Sequence, residues 1–313
     1  MLVIAALWII ATAVALPLFR SRQPVQTSTS GSEVRLINVQ GGESTFLTPG
    51  FDPQWSTDGT RIAFTDLDPE GKSGVYVIPS QGGTGTWLTF GQEQSWSADG
   101  TRLAFTTLAE GTPGVYAIEA AGGTGTFLTP GTSPAWSPTG DRIAFTTLDE
   151  QGDSGIYTIG AGGGTGTFLT PGTDPAWSPD GAQLAFSATD EEGNSGIYTI
   201  GAEGGTGSFL TPGSKPVWSP DGTRLAFITL DEEGKSGIYV IQTGGTTGTF
   251  LTPGSDPTWS PDGLSIAFIT LDEQGNSGVY VIDAQGGSGT FLTPGTDPIW
   301  SPDGNRIAFA LTQ

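Results

Sequence analysis

Asp174-Pro175-Ala176-Trp177-Ser178-Pro179-Asp180-Gly181 is the stretch on which the reading of this chain turns. Its core, Trp-Ser-Pro-Asp-Gly, returns at Trp218, Trp259 and Trp300, and in altered form at Trp55, Trp96 and Trp136. Successive tryptophans lie 41, 40, 41, 41, 41 and 41 residues apart. A period that regular means one supersecondary unit copied in tandem.

Working outward from Trp177, the residues before it form a short strand, and Ser-Pro-Asp-Gly forms a tight turn. Pro presets φ at the second turn position, Asp suits the third, and Gly closes it. Gln183-Leu184-Ala185-Phe186-Ser187 is apolar enough for a strand buried on both faces. Ile197-Tyr198-Thr199-Ile200 is a third strand, and Ser208-Phe209-Leu210-Thr211 a fourth, reached through the glycine-rich turn at Gly204–Gly207. Four short strands in about 40 residues make a β-propeller blade. The glycine-rich turns are hairpins: no helix follows them to build a phosphate loop.

The chain ends give the blade count. The last copy stops after its second strand, Arg306-Ile307-Ala308-Phe309. Before the first copy, residues 32–42 align without a gap on residues 73–83, and Thr45-Phe46-Leu47-Thr48 matches Thr126-Phe127-Leu128-Thr129. The N-terminal segment therefore supplies a third and fourth strand, and the C-terminus a first and second. Joined, they complete a seventh blade. The expected fold is all-β: a seven-bladed propeller of four-stranded antiparallel blades over residues 32–313, preceded by one N-terminal hydrophobic helix.

The repeat resembles that of the TolB-type propellers, with related repeats in tricorn protease and beside hydrolase domains of the oligopeptidase group. The matching elements are P-x-W-S-P-D-G, I-A-F, I-Y, G-G and L-T, and they cover residues 32–313. The chain departs from them at Thr57 and Ala98 (for Pro), Thr139 (for Asp) and Arg35 (for Tyr). The resemblance implies an extracytoplasmic protein that binds another protein of the cell envelope. After residue 33 about 280 residues remain, enough for the ring and too few for an appended hydrolase domain.

Residues 1–19 carry no charge, and at ~1.5 Å per residue they would nearly cross a ~30 Å hydrocarbon core. They read as a transmembrane anchor or a signal peptide, and residues 20–31 as a polar linker. Arg20 and Arg22 follow the segment, which by the positive-inside rule argues against export; the resemblance argues for it. The expected location is periplasmic or cell-surface, with contact to the membrane through residues 1–19 if they are retained.

Net charge is −21. In a four-stranded blade the second-to-third loop and the start of the first strand share one face of the disc. That face gathers 20 of the 32 acidic residues against three lysines. Such a surface excludes nucleic acid, whose phosphates need a basic footprint, and favours a basic peptide or protein. Three residues before each Trp stand Asp52, Glu93, Ser133, Asp174, Lys215, Asp256 and Asp297. They are expected to ring the channel mouth, with the charged six as candidate ligand-binding residues for a cationic group, and with weak divalent-cation binding as a further expectation. On the opposite face the turn aspartates stand beside arginines such as Arg61 and Arg102, and local pairing across each turn would be worth little if exposed.

Catalysis is not expected. The chain has no histidine and no cysteine, which removes the usual general base, the Ser-His-Asp triad and the commonest metal ligands. No cofactor and no catalytic residue is assigned. The alternative is a carboxylate-dependent hydrolase or lyase acting on a carbohydrate, since paired acids suffice for glycoside chemistry.

Overall fold

The computed structural model describes residues 31–312, except 110, 150–151, 190–192, 194, 231–233 and 273. The hydrophobic segment and linker expected over 1–30 lie outside the described residues. Among the described residues no helix is long and apolar enough to cross a membrane.

Among the described residues twenty-eight strands, numbered in chain order, form seven four-stranded sheets. Six are continuous in sequence; the first of these is β3 (Phe51–Trp55), β4 (Arg61–Leu67), β5 (Ser73–Pro79) and β6 (Thr86–Phe90). The seventh is composite. β1 (Ser32–Asn38) and β2 (Thr45–Pro49) join the last two strands, β27 (Thr296–Trp300) and β28 (Arg306–Thr312), in the order β2-β1-β28-β27. β1 pairs with β28 antiparallel from Ser32↔Thr312 to Asn38↔Arg306. The ring closes as the split repeat predicts.

In the other blades the second strand runs on into the second-to-third loop. In the composite blade the two chain ends stand there instead, with Ser32 opposite Thr312. Ser32 and Thr312 therefore stand on the face that carries the second-to-third loops of the other blades.

Each second strand is buried on both sides because its blade is covered by a neighbour on both faces. Ile62, Ala63 and Phe64 are all buried, as are Leu225, Ala226 and Phe227. Tyr of the third strand stacks on this Phe (centroids 5.3 Å for Phe64–Tyr76), and a fourth-strand aromatic covers the Tyr edge (5.2 Å for Tyr116–Phe127). In the composite blade Arg35 stands where the others have Tyr. Its guanidinium is held by Glu33 Oε2 at 2.6 Å and by the Ser44 carbonyl at 2.9 Å.

The tryptophans bolt blade to blade. Trp96 Nε1 donates to the Gln54 carbonyl of the preceding blade at 2.9 Å, and Trp55, Trp177, Trp218, Trp259 and Trp300 repeat the contact. Trp136 is the exception: its Nε1 is buried without a partner.

The arginines next to the Ser-Pro-Asp-Gly turns make contacts that the sequence does not reveal. Each reaches into the next blade rather than to its own turn aspartate. Arg61, Arg102, Arg224 and Arg306 lie over Trp96, Trp136, Trp259 and Trp55, at 4.6–5.1 Å from the ring centroids. Arg61 Nη2 also donates to the Gly100 carbonyl at 2.6 Å. The turn aspartate serves its own loop: Asp58 Oδ1 accepts from Ser56 Oγ at 2.6 Å and from the Thr60 amide at 2.9 Å. These bonds hold its carboxyl down at about 2.

Three seams lack the arginine–tryptophan contact: Arg142 instead donates to the Ala202 carbonyl at 3.1 Å and pairs with Glu203 at 2.6 Å, and Gln183 and Ser265 occupy the arginine position before Trp218 and Trp300. A cation–π contact at a partly exposed site is worth about 0.5–1 kcal/mol. Gln183→Arg together with Ser265→Arg should therefore raise the thermal midpoint by a few degrees (about 2–6 °C). An unchanged midpoint by differential scanning calorimetry would show that the clasp is ornamental.

Candidate functional site

The channel mouth is built by an irregularity that every blade repeats. Each innermost strand pairs regularly with the second strand next to its Trp, and the register then shifts. In β3 the shift falls between Phe51 and Gln54. The residue inside the shift takes a left-handed backbone: Asp52, Glu93, Ser133, Asp174, Lys215, Asp256 and Asp297 all have φ between 50° and 55°. Side chains with a Cβ avoid that region, and Asp is among those that tolerate it best. A bulge kinks a strand and re-aims one side chain. Here it does so seven times around one axis, and the residues concerned are the candidates read from the sequence.

The structure brings neighbours in the ring within electrostatic reach of one another. Asp52 feels Asp297 on one side and Glu93 on the other; Asp297 feels Asp256 and Lys215. Lys215 Nζ lies 3.2 Å from Asp256 Oδ1. The ring is therefore lopsided. Lys215 partners Asp256, Ser133 is neutral, and Asp174 sits between Ser133 and Lys215. Asp297, Asp52 and Glu93 run consecutively with no basic ring residue among them.

The first two blades add polar groups that the other copies lack. Gln54 replaces a small or apolar residue and Gln94 replaces the proline after the ring position. Gln94 Nε2 donates to the Asp52 carbonyl at 2.6 Å and to Asp52 Oδ2 at 3.2 Å, while its Oε1 accepts from Thr65 Oγ1 at 3.0 Å. Thr106 Oγ1 donates to Glu93 Oε2 at 2.7 Å, and the Ser133 amide donates to the same oxygen at 2.9 Å. The signal for this sector was present in the sequence as FDPQW and QEQSW, two departures from an otherwise repeated phrase. The regular spacing of the acids drew attention away from it.

Burial pushes the Asp52 carboxyl up to about 6, with Asp297 and Glu93 adding to the effect and the amides of Gln54 and Gln94 opposing it. Asp297 is also raised, first by burial and then by Asp256, against Thr296 and Lys215. Asp52 thus has an environment distinct from its counterparts, which the repeat alone did not imply.

Elsewhere on this face the loop aspartates cap their own turns. Asp68 Oδ1 accepts from the Glu70 and Lys72 amides, and Asp272 Oδ1 from the Gln274 and Asn276 amides. The acids at 110, 150, 190–192, 231–233 and 273 that enter the charge count lie outside the described residues. Among the described residues no three carboxylates converge closely enough to hold a metal ion.

Family membership follows from the repeat. The sequence model of the TolB beta propeller domain matches residues 94–215 and 206–313. The chain belongs to that family. No curated protein sequence matches it significantly. Among solved structures, a putative TolB from Agrobacterium tumefaciens is 21% identical, covering 89% of this chain and 97% of its own, with a TM-score of 0.60. An oligogalacturonate lyase in complex with manganese is 14% identical, covering 97% and 98%, at 0.67. An oligogalacturonate lyase from Vibrio parahaemolyticus is 11% identical, covering 89% and 96%, at 0.69. At these identities the likeness is one of fold, shared between TolB propellers and lyases alike.

Proposed function

We propose that this TolB-family propeller is a non-catalytic, extracytoplasmic binding scaffold, held at or released from the membrane through residues 1–19, with 20–31 as its linker. It engages a cell-envelope protein by drawing a cationic side chain into the channel mouth. The observation that carries this reading is the run Asp297–Asp52–Glu93, which has no basic ring residue within it and in which the ionised form of Asp52 is held at a cost. A lysine or arginine entering there would relieve that cost and be bound for the same reason. The long-range field of the acidic face would speed its arrival at low salt.

The test uses a short oligolysine as the probe. The variant Asp52→Asn with Glu93→Gln and Asp297→Asn should weaken its binding about tenfold or more and flatten its salt dependence. Equal affinity with an unchanged salt slope would reject the channel mouth as the site.

A second reading is favoured by one observation: Asp52 and Glu93 are neighbouring carboxylates in different environments, as an acid–base pair requires. A carbohydrate-directed hydrolase or lyase would show release of sugar ends from some glycan, abolished by Asp52→Asn alone.

A further inference from the structure

The acidic face is not only acidic. Leu108, Leu148, Leu230 and Leu271 stand at the ends of second strands with 68%, 63%, 65% and 63% of their surface exposed. They are placed there by register. Leu148 pairs with Ser154, Leu230 with Ser236 and Leu271 with Ser277, each two residues past the last rung shared with the innermost strand. The leucines thus project beyond the channel-mouth ring in four of the seven blades; the equivalent residue is half-buried Leu67 in the first, Thr189 in the fourth and Thr312 in the composite blade. They differ from the exposed rim aromatics such as Phe168 and Phe209, which lie over Tyr157 and Tyr198 at 5.2 and 5.3 Å and so have a packing role. On the same face Phe90, 45% exposed, already carries a cation: Lys72 Nζ sits 5.6 Å from its ring. Beside Leu271 a crevice of about 430 Å³ opens between the sixth and the composite blade, lined by Phe291, Pro294 and Leu311 together with Asp272.

An isolated exposed leucine means nothing. Four at the same blade position, with Asp149 and Asp272 next to two of them and the channel-mouth carboxylates inside them, describe a partner. The carboxylates call for positive charge, and the leucines call for apolar side chains spaced between the positive ones. We propose that this belt receives a cationic amphipathic segment of a protein partner, with lysines or arginines directed to the carboxylates and apolar residues laid on the leucines. This rests on the reading of the acidic face as a binding surface and specifies the chemistry of what binds. Anionic lipid is disfavoured by the charge of the face.

The experiment compares two labelled probes on the purified full chain by fluorescence anisotropy: an amphipathic leucine/lysine helical peptide and an oligolysine of the same charge. The leucine/lysine peptide should bind at least about tenfold more tightly, the worth of burying part of several leucines. The variant Leu108→Ser/Leu148→Ser/Leu230→Ser/Leu271→Ser should lose that preference while binding oligolysine as before, and the same four positions changed to Met should restore it. The proposal is overturned if the two probes bind alike, if the preference survives the serine variant, or if the leucines instead govern binding to phosphatidylcholine vesicles. Failure of the channel-mouth reading is separate: it shows as oligolysine binding that ignores neutralisation of Asp52, Glu93 and Asp297, whatever the leucines do.

Discussion

Deleting residues 32–48 is expected to abolish cooperative unfolding of the rest of the chain. The deletion removes β1 and nearly all of β2, and with them the seven-residue pairing that joins Ser32–Asn38 to Arg306–Thr312. Four apolar side chains leave the core: Val34, Leu36, Ile37 and Leu47, exposed by 8% or less. At roughly 1.5–3 kcal/mol each their loss amounts to about 6–12 kcal/mol. Whole domains are stable by only about 5–15 kcal/mol. The loss is not confined to one blade. Val34, Leu36 and Leu47 pack with Trp55, Ile62 and Phe64 of the first blade, while Ile37 packs with Ala267 and Val279 of the sixth. Both flanks of the gap are uncovered, and each blade depends on its neighbours for burial. Thermal unfolding followed by circular dichroism should show a broad, low-temperature transition in place of a sharp one. A peptide spanning residues 31–49 supplied in trans should sharpen it again. A deletion variant that melts at the wild-type temperature would mean the strand is an appendage and not the closing element.

That prediction rests on what the sequence made legible, and the limits of legibility have a physical pattern. Blade boundaries, strand order and the composite blade could be read because they depend on residues within one repeat, where Trp, Pro-Asp-Gly and Ile-Ala-Phe mark turn and core positions. The ring position was legible for the same reason. Its left-handed backbone was not, since nothing in Asp-Pro announces a bulge whose cause is the register shift with the second strand. Contacts that pass between blades were missed most. Arg61 stands beside its own turn in sequence, yet its guanidinium lies over Trp96 of the next blade, while Asp58 accepts from the Thr60 amide of its own loop. Gln94 acts on Asp52 across a blade boundary and 42 positions away. The leucine belt escaped notice because Leu148 ends an apolar run that reads as a buried strand; only the register shows that its last residue overshoots the sheet beside it.

Replacing Asp52 by Asn should stabilise the protein at neutral pH and leave it unchanged near pH 4. The side chains are nearly isosteric, and Asn tolerates the left-handed backbone (φ 51°) as well as Asp does. What differs is charge. The folded state raises the Asp52 carboxyl from 3.8 to about 6, so it holds a proton that the unfolded chain gives up. A group raised in this way favours the folded state while both forms are protonated. That advantage is lost as pH climbs from about 4 through about 6, and above this the charge is carried at a constant cost. One pKa unit is worth about 1.4 kcal/mol, and after allowance for solvent at the mouth the cost comes to about 2 kcal/mol. The variant should then melt about 4–8 °C higher than wild type at pH 7.5, with the two curves converging near pH 4. Below pH 4 both should lose stability together, because the turn carboxyls of Asp58 and Asp221, held down at about 2, give up their loop bonds on protonation. Equal melting temperatures at pH 7.5 would show that Asp52 bears no such cost. If the cost is real, the binding proposed above would offset it, and the same linkage tests that proposal. A cationic side chain bound in the mouth would draw the Asp52 pKa back down. Binding near pH 6 should then release protons, up to about half of one per site, detectable as a dependence of the calorimetric binding enthalpy on the ionisation enthalpy of the buffer. The Asn variant should bind with no such dependence.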